Sequence, residues 1–165
     1  MRPWGYRFAL WIVCVLALLP GTAGAGIFSS ISSAGGVRKF DYFSVKVPEG
    51  WTAQQQGATV VIKSTSSNAS LSIAIASRGA ASFEEIVNRL CEQMRGKELT
   101  HDKDGNYTFQ YRNTAGIDCV AVLLSVKNDG GKDAGLYVVV ALSGYDDEEE
   151  KIIDEIIDSM EFNDD

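Results

Sequence analysis

The chain has 165 residues, 45% of them apolar and 22% charged, which is enough apolar material for one hydrophobic core and excludes disorder throughout. Arg2 and Arg7 are the only charged residues among the first 25, so the remainder carries 13 basic against 22 acidic residues, a net charge of −9. A surface of that sign repels nucleic-acid phosphates and anionic lipid headgroups, which excludes general binding to either.

The N-terminal segment has the plan of an export signal. Arg2 and Arg7 precede the apolar run Phe8–Leu19, Pro20-Gly21 interrupts it, and Ala23-Gly24-Ala25 offers small side chains to a signal peptidase. The expected signal peptide is therefore 1–25, cleaved after Ala25, and the mature chain is expected in the periplasm or outside the cell. Twelve apolar residues fall short of the ~18 that a membrane span needs, so retention as an uncleaved anchor is the lesser alternative. Cys14 follows Trp11-Ile12-Val13, without the small residues that precede a lipidated cysteine, and no lipid anchor is expected. Residues 26–39, rich in Ser, Gly and Ala, read as a flexible leader, 40–162 as the folded domain and 163–165 as a tail.

From Phe40 to Val47, Phe43, Val45 and Val47 alternate with Ser44 and Lys46, the period of a half-buried strand that ends at the turn Pro48-Glu49-Gly50. Thr52–Gln56 and Thr59–Ser64 read as the next strands, followed by a polar loop over Ser64–Asn68. Leu71, Ile73 and Ile75 then line one strand face, while Ser72, Ala74 and Ala76 give the other a small-residue surface that a helix can approach closely. The spacing of Phe83, Ile86, Val87, Leu90, Cys91 and Met94 predicts a helix over Phe83–Arg95, opened by a capping box of Ser82 and Glu85 and ended by a positive φ at Gly96. Lys97–His101 reads as a short edge strand and Asp102–Asn106 as a turn into a strand over Tyr107–Arg112.

Two later runs are apolar on both faces. In Ile117–Val126, Ile117, Cys119, Ala121 and Leu123 oppose Val120, Val122 and Leu124, and Leu136–Leu142 behaves likewise. Both are predicted to be central strands covered on both sides, joined as antiparallel neighbours by the polar loop Asn128–Gly135. A closing helix is expected from about Asp146, with acids in its first turn and a stripe of Ile152, Ile153, Ile156, Ile157 and Met160. One helix mid-chain and one at the end predict an α/β (α+β) class, a three-layer α/β/α sandwich around a mainly antiparallel sheet of about seven strands.

The run Phe43-Ser44-Val45-Lys46-Val47-Pro48-Glu49-Gly50-Trp51 resembles the opening of PsbP-like domains, and Ile152-Ile153 through Ile156-Ile157-Asp158-Ser159-Met160-Glu161-Phe162 is similar to the last helix of that group and of its DcrB-like relatives. The resemblance covers about Phe40 to Phe162 and implies the α/β/α sandwich also found in the Ran-binding protein Mog. It implies a non-enzymatic module, as in a photosystem accessory subunit or an envelope protein. The matched positions are scaffold positions, so no functional residue follows from it.

Catalytic chemistry has few candidates. His101 is the only histidine, and acid/base work would need Asp102 or Asp104 to bend back and orient it. Cys91 and Cys119 are the cysteines left after cleavage and are disulfide candidates in an oxidising compartment, with two buried thiols as the alternative. No ligand pair has zinc spacing, and Asp102-Lys103-Asp104-Gly105-Asn106 departs from a calcium loop, with Tyr107 at its sixth position and Asn113 at its twelfth. Gly35-Gly36 and Gly130-Gly131 lack a phosphate-loop pattern, so no metal or cofactor is expected. Trp51, Tyr107, Tyr111, Tyr137 and Tyr145 are expected to cap the core, with an aromatic binding surface as the alternative. The leading expectation is an exported accessory or binding module docking on an envelope protein. A small-ligand carrier with a pocket beside Ser72, Ala74 and Ala76, and a hydrolase-like enzyme using His101, are the other two.

Overall fold

A computed structural model describes residues 35–128 and 130–163. The expected signal peptide, residues 26–34 of the leader and the last two residues of the tail lie outside the described residues. The elements are β1 (Gly36–Lys39), β2 (Phe43–Val47), β3 (Trp51–Gln56), β4 (Thr59–Ser64), β5 (Ser70–Ser77), α1 (Phe83–Gln93), β6 (Lys97–His101), β7 (Tyr107–Arg112), β8 (Asp118–Lys127), β9 (Asp133–Ser143), α2 (Asp147–Asp158) and β10 (Glu161–Phe162). They form a seven-stranded sheet in the order β3-β4-β5-β9-β8-β7-β6 and a three-stranded sheet in the order β1-β2-β10. The fold is mainly β, with an antiparallel seven-stranded sheet and two helices among the described residues.

The second sheet departs from the expected single sheet of about seven strands. Pro48 has no N–H to donate, and the Trp51 N–H turns back to the Pro48 carbonyl at 3.2 Å, so the ladder of β2 stops there and β3 begins another sheet. Regular structure is also present before Phe40: β1 pairs along β2 from Gly36↔Val47 to Lys39↔Ser44 within the stretch expected as leader. That strand is held by backbone pairing while Val37 stays exposed, so no apolar period announced it.

Among the described residues, 73–141 form one compact unit and 35–72 with 142–163 another. In the first, α1 lies on the sheet. Ser82 Oγ accepts from Glu85 N–H at 3.2 Å and Glu85 Oε2 accepts from Ser82 N–H at 2.7 Å, which closes the expected capping box. Ile86, Val87 and Leu90 are buried against Ala74 and Ala76 of β5, Phe109 and Tyr111 of β7, Cys119, Ala121 and Leu123 of β8, and Tyr137, Val139 and Ala141 of β9. Burying each of those three helix side chains contributes roughly 1.5–3 kcal/mol.

The helix ends differently from expectation. Arg95, at φ +54, takes the left-handed position, with its N–H on the Glu92 carbonyl at 3.1 Å and Gly96 N–H on the Cys91 carbonyl at 2.7 Å. This is the Schellman pattern with arginine where glycine is usual. Gly96 is required for space instead: a Cβ there would lie 2.6 Å from Phe109 Cδ2 and 2.7 Å from Cys91 Sγ.

One device closes three successive hairpins of this unit. Asp102, Asn113 and Asn128 each accept, through Oδ1, the backbone N–H groups two and four residues on, at 2.8–3.1 Å. Each is followed three residues later by a glycine with positive φ: Gly105 (82°), Gly116 (79°) and Gly131 (69°). The side chain substitutes for a missing ladder bond while glycine absorbs the turn. Loop 128–132 is accordingly shorter than expected, and β9 starts at Asp133. Arg78 fixes the neighbouring loop before α1, donating to the Ala81 carbonyl at 3.0 Å and pairing with Asp133.

In the second unit β2 buries Phe43, Val45 and Val47, as its alternation predicted, and α2 buries Ile153 and Ile156. Asp146 caps α2 through the N–H groups of Glu148 and Glu149, and Ser67 bonds Glu149. After the helix, Ser159 Oγ accepts the Lys46 N–H at 2.9 Å and Asn163 Nδ2 donates to the Phe40 carbonyl at 3.0 Å, which ties β10 to the β1–β2 hairpin.

Two substitutions test the local readings. Arg95→Gly relieves a left-handed arginine and is expected to stabilise by about 1 kcal/mol, whereas Gly96→Ala forces Phe109 and Cys91 to move and is expected to cost about 1–3 kcal/mol. Urea unfolding midpoints measure both. Asn113→Ala leaves the Ala115 and Ile117 N–H groups without their side-chain acceptor and should lower stability by about 1–2 kcal/mol in the same assay.

Candidate functional site

The two faces of β8 have unequal cover. Strand pairing sets Tyr107↔Leu123, Phe109↔Ala121 and Tyr111↔Cys119 on the side of α1, where Ala121 and Leu123 are 0% exposed. The opposite side carries Thr108↔Val122, Gln110↔Val120 and Arg112↔Asp118, and there Val120, Val122 and Leu124 are only half-buried. Leu136 on β9 is 36% exposed, while Tyr137 through Leu142 are buried. Cover on both sides was expected for both runs. It holds for Tyr137–Leu142 of β9 and for Val126 of β8, and fails for Val120, Val122 and Leu124 of β8 and for Leu136. Ile117 also departs from expectation: it precedes β8, is 45% exposed, and gives its N–H to Asn113 Oδ1.

This leaves an apolar strip of Val120, Val122 and Leu124 bordered by Thr108 and Gln110 of β7. Beyond Val120 on the same face, Arg112 Nε and Nη2 grip the Asp118 carboxylate at 2.7 and 3.0 Å. The Arg112 hydrogen bond holds the Asp118 carboxyl below its usual range and raises the guanidinium, so both stay charged. Both side chains are exposed, so the pair orders the rim and contributes little to stability. Such an apolar strip edged by hydrogen-bonding groups can bury against a complementary surface. It contains no nucleophile and no general base.

The residues singled out in the sequence do not converge. Cys91 and Cys119 are free thiols in and beside the core under α1. Cys91 lies near Gly96 and Phe109, whereas Cys119 sits beside Tyr111 and its Sγ donates to the Ile117 carbonyl at 3.5 Å. Burial pushes both thiols up, with Glu92 adding to the effect at Cys91, so neither is poised as a thiolate. Burial likewise raises the Tyr111 phenol.

His101 is exposed at the end of β6, with its ring 5.7 Å from Tyr107. Asp102 does not orient it: the carboxylate takes the N–H groups of Asp104 and Asn106 and, at 2.9 Å, Asn106 Nδ2. Ala74 and Ala76, two of the three residues of the expected pocket surface, are packed against α1, and the third, Ser72, is buried. Trp51, Tyr111 and Tyr137 belong to the core, and Tyr107 stands edge-on to Phe83 at 5.6 Å. The acids from Asp146 to Glu150 start α2, and no group of three or more potential metal ligands occurs among the described residues. No described helix is long and apolar enough to cross a membrane.

Sequence reasoning missed the strip because alternating apolar residues on both faces read as full burial. The signal available was the polar set on the neighbouring strand, since Thr108, Gln110 and Arg112 must share a face with whatever pairs with them. No known protein family matches the chain, and no curated protein matches it.

Acid titration tests the assignment of Asp102 to turn chemistry. Hydrogen bonds from Asn106 hold its carboxyl below the usual value, so its contribution to stability is present above about pH 4 and is lost as pH falls through the lowered folded value. Asp102→Asn keeps the Oδ1 acceptor, as Asn113 and Asn128 show, but puts a donor where Oδ2 accepts from Asn106 Nδ2, so it should lower stability at neutral pH and flatten the acid limb of a thermal melt series.

Proposed function

We propose that this chain is an exported, non-enzymatic accessory module that docks on an envelope protein through the incompletely covered β7–β8 face opposite α1. The observation that carries the reading is the half-buried strip Val120, Val122 and Leu124, on a strand whose other face is sealed, with Leu136 exposed on the neighbouring strand β9. Exposed apolar residues grouped on a regular sheet surface are the ordinary substance of a binding site. The occupant is a protein surface with an apolar centre and hydrogen-bonding edges, because the net charge of −9 beyond residue 25 disfavours lipid headgroups and nucleic acid.

Two further readings support this function from the sequence. The segment 1–25 has the order of an export signal, which would place the mature chain in the periplasm or outside the cell. The Phe43–Trp51 and Ile152–Phe162 runs resemble PsbP-like and DcrB-like domains, a group used mostly for non-catalytic roles. In that reading the two helices occupy opposite sides of the seven-stranded sheet as a three-layer sandwich.

Crosslinking in intact cells tests the docking face. The wild-type chain should capture one protein repeatedly, and Val122→Lys combined with Leu136→Lys should reduce that capture at least tenfold, about 1.4 kcal/mol, without unfolding the isolated chain. Equal capture by both forms, or no reproducible partner, contradicts the proposal.

A further inference from the structure

Two tripeptides of the form Asn-x-Ser/Thr occur in the chain, Asn68-Ala69-Ser70 and Asn106-Tyr107-Thr108. In exported proteins such tripeptides accept N-linked glycans, and the acceptor asparagine must tolerate a bulky sugar in the folded state. The structure separates the two. Asn106 is half-buried in a closed turn, its Nδ2 on Asp102 Oδ2 and its N–H on Asp102 Oδ1, both at 2.9 Å. A sugar on that nitrogen would be forced against the carboxylate that holds the hairpin.

Asn68 is the opposite case. It ends the polar loop between β4 and β5, its side chain is exposed, and its carboxamide has no hydrogen-bond partner among the described residues. Its backbone is nevertheless fixed. A Cβ added at Gly144 would collide with the Asn68 carbonyl, Ala69 is 1% exposed, its N–H is held by Ser67 Oγ at 3.1 Å, and its carbonyl accepts the Ser64 N–H at 2.9 Å. The loop is thus built to hold the main chain in place while leaving one amide side chain to solvent.

We propose that Asn68 is an N-glycan acceptor, an inference that rests on the export reading of residues 1–25. In the transfer, Asn68 Nδ2 forms a bond to the anomeric carbon of an oligosaccharide carried on a polyprenyl pyrophosphate. The bond from that carbon to the pyrophosphate oxygen breaks, the pyrophosphate leaves with the electron pair, and the amide proton passes to a base of the transferase. Recognition needs the hydroxyl of Ser70, which in the folded chain lies 3.0 Å from Ser143 Oγ, half-buried. Transfer therefore precedes the closing of that contact and acts on the newly translocated chain.

Mass mapping of the chain recovered from the organism that makes it, with N-terminal sequencing of the same sample, tests the assignment. The tryptic peptide 64–78 should carry hexose-type added mass in the greater part of the sample. Asn68→Gln and Ser70→Ala should abolish the added mass, and Ser70→Thr and Asn106→Gln should retain it. An unmodified 64–78 peptide in a chain beginning at Gly26 overturns the acceptor assignment while the export reading stands. The unmodified peptide in a chain still beginning at Met1 overturns both, and a glycan confined to Asn106 overturns the choice of Asn68.

Discussion

The packing of α1 onto a strip of small and flat side chains is the constraint on which the 73–141 unit depends. A helix can lie close to a sheet only where the sheet presents little bulk, and Ala74, Ala76 and Ala121 provide that ground beneath Ile86, Val87 and Leu90. Gly96 extends the same requirement past the end of the helix, since Phe109 and Cys91 already occupy the space of a Cβ. Close packing of this kind fixes the helix position without polar contacts, because a void or an overlap of a single methylene is felt energetically.

Committing one side of β8 wholly to the helix gives its other side a separate role. The residues there are apolar by composition but incompletely covered, and their neighbours on β7 are polar. A strand that served only as core would bury both sets. The contrast between Leu123 and Val122, adjacent in sequence and opposite in environment, is the basis for reading this surface as a place of association. The candidate chemistry elsewhere is absorbed by structure: the Asp102 carboxylate by its turn, Cys91 and Cys119 by burial, and the acids at the start of α2 by capping.

Much of this was legible in the sequence. The strands Thr59–Ser64 and Tyr107–Arg112, the capping box at Ser82 and the approach of a helix to Ala74 and Ala76 follow from side-chain period and cap chemistry. What escaped depends on partners distant in sequence. β1 is held by hydrogen bonds to β2 rather than by its own apolar residues, and the separation of β1, β2 and β10 into their own sheet follows from where ladders stop. Arg95 in the left-handed position and Gly96 as a spacer reverse the usual assignment, because the glycine was needed one residue later for contact with Phe109. The partial exposure of Val120 and Val122 was invisible for the same reason: a period shows which residues share a face, and cover is supplied by other parts of the chain.

Hydroxyl-radical footprinting of the purified chain, resolved to single residues, tests the unequal cover of β8 most directly. Val122, Leu124 and Leu136 should be oxidised readily and become protected when the crosslinked partner is bound, while Leu123 and Leu90 resist in both states. Equal protection of Val122 and Leu123 in the free chain would contradict the account.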